Sequence, residues 1–568
     1  MTPYESLCDT YLKLLSLDPN NCVELGLTEK LDELPDPTLD MLHKTAAMAG
    51  ELRQQAEALA PELTDFYQRL DAQLIALAAR ALELRNNLSF NGKLQAQQLP
   101  DAGGEISSGI FLLVTNDPRP AAERLQNILA RLSQVPHYLK QALQRLDTPV
   151  ARWVDIELEI IEGLPELFAT TLEWATTQKF TDLEVLREAI NNANRALEDY
   201  SEALRQLPTT TGFSIGPEKA QAVVAANGNT LSLQEIHQIA TDFVHRTRGD
   251  IETLRAKLVE KYGLDSGLST SELQKFLNAR YGVKVEDGDF SSVIQRYKDE
   301  ATRIETFLTG RELFPIPQDQ AMNIMQTPEF MAPMIPAGAM MPPAALREGT
   351  RTSLVYLTLS PELMDEHTEL GIPLMMVHEG IPGHHLQLAT AAMQKSLVRR
   401  TFSASEHAEG WTTMLEDYML DIGLMGELTD EARFQTKLDI SRIGARVAID
   451  LYFMTGEVHY LDIGYDLDFV DSDPFVNAAK LLIAATGFTP GRAESELNWY
   501  SQERGYPLSY LVGNHLVWTL KKDYQAAVAD SLSEQETDQN FHRIYLESGN
   551  MPVAMLRSVY EHEIQRAL

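Results

Sequence analysis

Cysteine is almost missing from this 568-residue chain, which carries only Cys8 and Cys22. Two thiols cannot build a disulfide framework, and both lie far from the histidine-rich segment, so thiolate ligation of a metal is not expected. Positive charge is also scarce: 48 lysines and arginines face 82 acids, a formal net charge of −34. Such a surface repels phosphate backbones, which excludes nucleic acid as an expected partner and reads as solubility through self-repulsion. No run of about 18 apolar residues occurs, so no membrane partner is expected. The opening Met1-Thr2-Pro3-Tyr4-Glu5 has no basic stretch followed by an apolar one, and the expected location is cytoplasmic. Strand-like patterning is rare too, the best example being residues 353–359.

What is present is helical periodicity. The apolar fraction of 44% and charged fraction of 23% are ordinary for a globular protein with a sizeable core. Residues 42–60, 63–86, 121–132 and 183–207 place apolar side chains three and four apart, which predicts amphipathic helices and a mostly α fold. Ser232-Leu233-Gln234-Glu235, Ser269-Thr270-Ser271-Glu272 and Ser531-Leu532-Ser533-Glu534 have the spacing of reciprocal N-terminal caps. Residues 208–217 (PTTTGFSIGP) interrupt the pattern. They suggest an N-terminal helical region over 1–210 and a C-terminal one over 211–568, with one continuous fold as the alternative. Residues 315–343 are rich in proline and methionine, including 330–336, and cannot form one regular helix. They read as a core-lining connector or as an apolar loop bordering a cleft.

Chemistry concentrates in His378-Glu379-Gly380-Ile381-Pro382-Gly383-His384-His385. This octapeptide resembles the zinc-peptidase signature H-E-x-x-H, in which two histidines one turn apart bind zinc and the glutamate is a general base. Pro382 occupies the place of the second histidine. A straight helix fails: His378 and His384 would face about 240° apart, and His385 would lie about 10.5 Å along the axis from His378. A Pro382-Gly383 bulge would restore the geometry. Looping out two residues makes His384 the ligand; looping out three makes it His385. A third ligand is needed if one position is to stay open for water. Glu409, 24 residues after His385, is the candidate, and Glu416, seven further on, lies on the same helix face to orient a ligating histidine. Glu406 and His407 are weaker candidates beside it. The competing role for this segment is an acidic amphipathic helix with a solvated face.

Several landmarks together make a resemblance specific. His378 to Gln387 (HEGIPGHHLQ), Glu409-Gly410-Trp411, Arg446-Val447-Ala448-Ile449-Asp450 and the stretch WYSQERGYPLSYLVG from Trp499 to Gly513 resemble the bacterial family known as domain of unknown function 885. That family is similar to the helical zinc peptidases related to angiotensin-converting enzyme and thimet oligopeptidase. The resemblance implies a large helical, two-lobed fold with a central cleft and a small β element before the motif helix. It also implies a glutamate ligand on a second helix, which the spacing to Glu409 fits. The chain departs from the family at Met454, where relatives carry histidine, and at Arg504-Gly505-Tyr506, where they carry proline, glycine and glutamine. His459 would replace the missing histidine only if another turn presented it.

The expected function is therefore a Zn2+-dependent hydrolase, most simply a peptidase. His378, His385 or His384, and Glu409 would hold zinc, with Glu379 as the base. Tyr510 or Tyr500 would donate to the oxyanion, with aromatic packing as their competing role. Arg442 and Arg446, one turn apart, would clamp a substrate carboxylate, or else pair with the abundant acids. The alternatives are a metal-binding scaffold without turnover and a hydrolase of small non-peptide amides or esters. The sequence leaves the oligomeric state open.

Overall fold

The structure, a computed structural model, describes residues 2–115, 117–285, 289–327, 338–360, 364 and 367–567. The stretch 330–336 of the proline- and methionine-rich segment lies outside the described residues. The chain is mostly α-helical with few, short strands. The four periodic stretches correspond to helices Leu39–Leu59, Phe66–Asn87, Ala121–Arg145 and Leu183–Arg205. The third runs past its expected end through Pro136, because Val135, Tyr138, Leu139 and Ala142 continue the buried face. An interior proline costs about 3 kcal/mol, which the burial of two or three such side chains at about 1.5–3 kcal/mol each offsets. Ser232 and Ser269 form their reciprocal caps with Glu235 and Glu272. The third cap is displaced by one S-x-x-E frame: Ser533 and Glu536 form it, while the Ser531 amide bonds Val528 O in the preceding helix.

Contacts divide the chain into two compact units. The first comprises Met1–Ile215, Ala344–Glu348 and Lys395–Phe402, so a single boundary near residue 210 misses two returning segments. Asp71, 2% exposed, fixes the second of them by accepting from Ser396 Oγ at 2.7 Å and Arg399 Nε at 2.9 Å. In the core of this unit Arg131 is buried without a carboxylate; it donates to Asn20 Oδ1 and to the carbonyls of Pro19, Leu31 and Gly109.

The second unit comprises Gly216–Pro343, Gly349–Gln394 and Ser403–Leu568. Its small sheet places Arg351–Leu357 between Gln320–Gln326, in parallel, and Gly338–Met341, antiparallel. The central strand is the one expected over 353–359, begun two residues earlier. The same unit holds helices Gly371–Glu379, His384–Ala392, Ser405–Asp421, Thr429–Thr455, Pro490–Gln502 and Ser509–Val528. Ser405–Asp421 and Ser509–Val528 cross backbone to backbone at two glycines. A Cβ on Gly410 would lie 2.5 Å from Gly513 C, and one on Gly513 would lie 2.2 Å from Glu406 O. Among the described residues, no helix is long and apolar enough to cross a membrane.

Candidate metal centre

Helix Gly371–Glu379 is apolar over Ile372, Leu374, Met376 and Val377, all buried, and ends on His378 and Glu379. The bulge expected at Pro382-Gly383 is a complete break: one helix ends at Glu379 and the next starts at His384. Between them the Ile381-Pro382 bond is cis and the chain doubles back on the helix end. A Cβ at Gly383 would meet His378 O at 2.0 Å and Val377 O at 2.2 Å, so only glycine fits the turn. Trp411 Nε1 donates to Pro382 O at 2.9 Å, tying the turn to the helix that carries Glu409. The result sets the His378 and His384 rings 4.9 Å apart at 83°.

His378, His384 and Glu409 each present one donor atom, and these atoms lie within 4.8 Å of one another. Glu409 Oε2 lies 3.5 Å from His384 Nε2 and 3.9 Å from His378 Nε2. Tetrahedral zinc with bonds near 2.0–2.1 Å sets its ligands about 3.3–3.4 Å apart, close to these separations. Glu409 is 8% exposed, yet Oε2 has no hydrogen-bond partner. An orphaned buried carboxylate oxygen facing two imidazole nitrogens fits a divalent cation, and a nitrogen–nitrogen–oxygen donor set suits zinc.

Surrounding groups tune the three. Glu416 Oε1 accepts from His378 Nδ1 at 2.8 Å, which leaves Nε2 as the ring nitrogen facing Glu409. Burial disfavours a charged His378, but the Glu416 hydrogen bond and the charges of Glu379, Glu416 and Glu409 outweigh it and push the imidazole up to about 9. Burial likewise opposes ionised Glu409, and the charges of His384 and His378, with the Tyr506 hydroxyl, bring it down to about 2. The Tyr506 hydroxyl donates to Glu409 Oε1 at 3.2 Å. Its position depends on Asp450, which accepts from the Gly505 and Leu508 amides and so shapes the turn. His378, Glu379 and Glu416 line a cleft of about 600 Å³ that Asp439, Arg442 and Arg492 also line.

Four of the expected residues stand away from the cluster. His385 points away from the cluster: Nδ1 meets Ser353 Oγ at 2.7 Å and Nε2 meets Gln320 Oε1 at 2.5 Å. It starts the second motif helix by anchoring it to the sheet, and burial lowers its pKa to about 4. Tyr500 is fully buried, accepting from Arg446 Nε at 2.7 Å and donating to Glu496 Oε2 at 2.5 Å, so its proton is committed. Arg446 is spent on the same network, with Nη2 3.0 Å from Glu496. Tyr510 stands one ring behind, 5.8 Å from Tyr506 and beneath the Arg446 guanidinium at 4.6 Å. Tyr506, which reaches Glu409, sits in the Arg504-Gly505-Tyr506 departure, which reads in sequence as a loss. Glu406 is occupied by the Val553 amide and Asn229, and His407 by Met551 O. Met454 is buried, and His459 keeps to Glu457, His237 and Tyr460.

Fold and site together define a mostly helical protein with a histidine–histidine–glutamate cluster of metal-site geometry. The chain belongs to the family described as "Bacterial protein of unknown function (DUF885)", matched over residues 19–559. Among curated proteins none matches it. Two solved structures share its fold. One is described as "the putative lipoprotein from Colwellia psychrerythraea", at TM-score 0.78 and 16% identity over 100% of both chains. The other is described as "a putative lipoprotein of unknown function from Shewanella oneidensis", at TM-score 0.76 and 16% identity over 98% of this chain and 100% of that one. A Pyrococcus furiosus carboxypeptidase aligns over 99% of both chains at 11% identity, but its TM-score of 0.36 carries no argument.

Proposed function

We propose that this protein is a zinc-dependent hydrolase acting on peptides, with His378, His384 and Glu409 as the metal ligands. The observation that carries the reading is the convergence of His378 Nε2, His384 Nε2 and the unpartnered Glu409 Oε2 beside Glu379 at a cleft. Zinc held there would supply Lewis acidity and an acidified water. Glu379 would take a proton from water in the cleft and return it to the leaving nitrogen. The Tyr506 hydroxyl, which burial and the Glu409 charge keep protonated, would orient that ligand by donating to Glu409 Oε1. Glu416 would hold the His378 proton on Nδ1. Tyr510 would act through Tyr506.

Nucleic acid and membrane are not proposed as partners, given the acidic balance of the chain. The cytoplasmic placement competes with an exported one, which the lipoprotein descriptions of two structures of the same fold support. Fractionation of the producing cells separates the two.

The test is zinc content of protein purified without added metal, with peptide-pool hydrolysis by wild type and Glu379→Gln. Wild type should carry about one zinc per chain and cleave peptides. Glu379→Gln should keep the zinc and lose about 10²–10⁴-fold in rate. Absence of bound zinc together with equal cleavage by both proteins refutes the reading. Full zinc without hydrolysis of peptides selects the scaffold, and hydrolysis confined to small esters or amides selects a non-peptide substrate.

A further inference from the structure

The two arginines that look alike in sequence are unlike in the fold. Both lie on helix Thr429–Thr455, one turn apart. Arg446 is buried and satisfied by Tyr500 and Glu496. Arg442 lines the cleft shared with His378, Glu379 and Glu416, and its Nε is buried without a hydrogen-bond partner. Among the described residues no hydrogen bond or ion pair engages it. Asp439, one turn back, and Glu496 are near enough to feel its charge, but neither reaches it as an ion pair. A guanidinium offers five donors in a fixed planar fork that matches a carboxylate. A desolvated N–H with nothing to donate to is costly, and a ligand oxygen removes that cost.

We propose that Arg442 binds a carboxylate of the substrate, so that the cleft selects peptides by an anionic group placed beyond the scissile bond. This rests on the hydrolase reading above. It deepens that reading to a substrate class: peptides anchored by their free C-terminal carboxylate, or by an acidic side chain, both of which present the same chemistry to the fork. The cleft of about 600 Å³ lies within the range of small-ligand sites, so a short peptide end fits it.

Calorimetric binding to the zinc-loaded protein carrying Glu379→Gln tests the idea without turnover. The probes are N-acetyl-tetra-alanine with a free carboxylate, its C-terminal amide, and that amide with one alanine replaced by glutamate. The free acid should bind about 10- to 100-fold more tightly than the plain amide, the range of a charge-assisted contact. Adding Arg442→Gln should erase the difference, and Arg442→Lys should restore part of it. Tight binding of the glutamate amide assigns the subsite to side chains, and weak binding assigns it to chain ends. Equal affinity for acid and amides overturns the proposal on the unaltered arginine alone, so a misfolded Arg442→Gln cannot rescue it. Carboxylate-dependent binding with no hydrolysis by wild type sinks the hydrolase reading and leaves the anion subsite standing. Hydrolysis indifferent to the carboxylate and to Arg442 does the reverse.

Discussion

Replacing Gly410 with alanine should damage the proposed metal centre without touching one of its proposed ligands. The added methyl would lie 2.5 Å from Gly513 C, 2.6 Å from its O and 2.8 Å from its Cα. Carbon contacts become comfortable near about 3.5 Å, so the two helices must part by roughly 1 Å. Overpacking of this kind costs about 1–3 kcal/mol, and here the obstacle is backbone, which cannot rotate away. Glu409 precedes Gly410 and travels with its helix, whereas His378 and His384 stand on two other helices that the added methyl does not push. Metal–ligand distances tolerate about 0.2 Å, so a displacement several times larger should weaken zinc binding by at least about 10–100-fold. Competition titration against a chromophoric chelator measures the affinity, and urea unfolding measures the stability. Gly249→Ala is the control: a mid-helix glycine with nothing within 4 Å of a new Cβ. It should leave zinc binding unchanged and stability equal or up to about 1 kcal/mol higher. A Gly410→Ala protein with wild-type stability and zinc affinity refutes the reasoning.

Two further outcomes follow from other contacts. Glu416→Ala should free His378 Nδ1 and weaken zinc binding about 10–100-fold with the ligands intact, measured by the same titration. In the first unit, Glu157 is 1% exposed, and burial raises its carboxyl from 4.5 to about 7 despite the Gly103 amide and Tyr200 hydroxyl. The folded state therefore holds this proton more tightly than the unfolded state. Its contribution is complete below pH 4.5 and is lost as pH rises through about 7. Relative to wild type, Glu157→Gln should gain up to about 3 kcal/mol between those limits in urea titrations at each pH, and a flat difference contradicts the assignment.

The helical class was legible because periodicity is local, and the caps at Ser232 and Ser269 were legible because the S-x-x-E spacing occurs there once. Around Ser531 and Ser533 it occurs in two frames, and only the end of the preceding helix decides between them. The candidate cluster was legible only in the spacing of its parts. His378, Glu379 and Glu409 stand at spacings that a helix and its neighbour explain. The choice between His384 and His385 needed the number of residues consumed by the turn. That number depends on Trp411 and on the space behind Gly383, both tertiary facts. Sequence also treated Arg442 and Arg446 as a pair, because helical spacing says nothing about Glu496 and Tyr500, which arrive from a later helix and engage only one of them. Tyr506 could be reached only through Asp450, whose carboxylate sets a turn 55 residues away.

The tie between Asp71 and Arg399 spans 328 residues of sequence. On a ribosome adding about 5–20 residues per second, the aspartate waits roughly 16–65 s for its partner after it is made. The first unit therefore cannot finish folding as it emerges. Its last pieces, 344–348 and 395–402, flank the segment that carries the metal motif. Birth order thus makes the residues around the histidines in sequence a precondition for completing the N-terminal unit, which becomes a late event in biosynthesis.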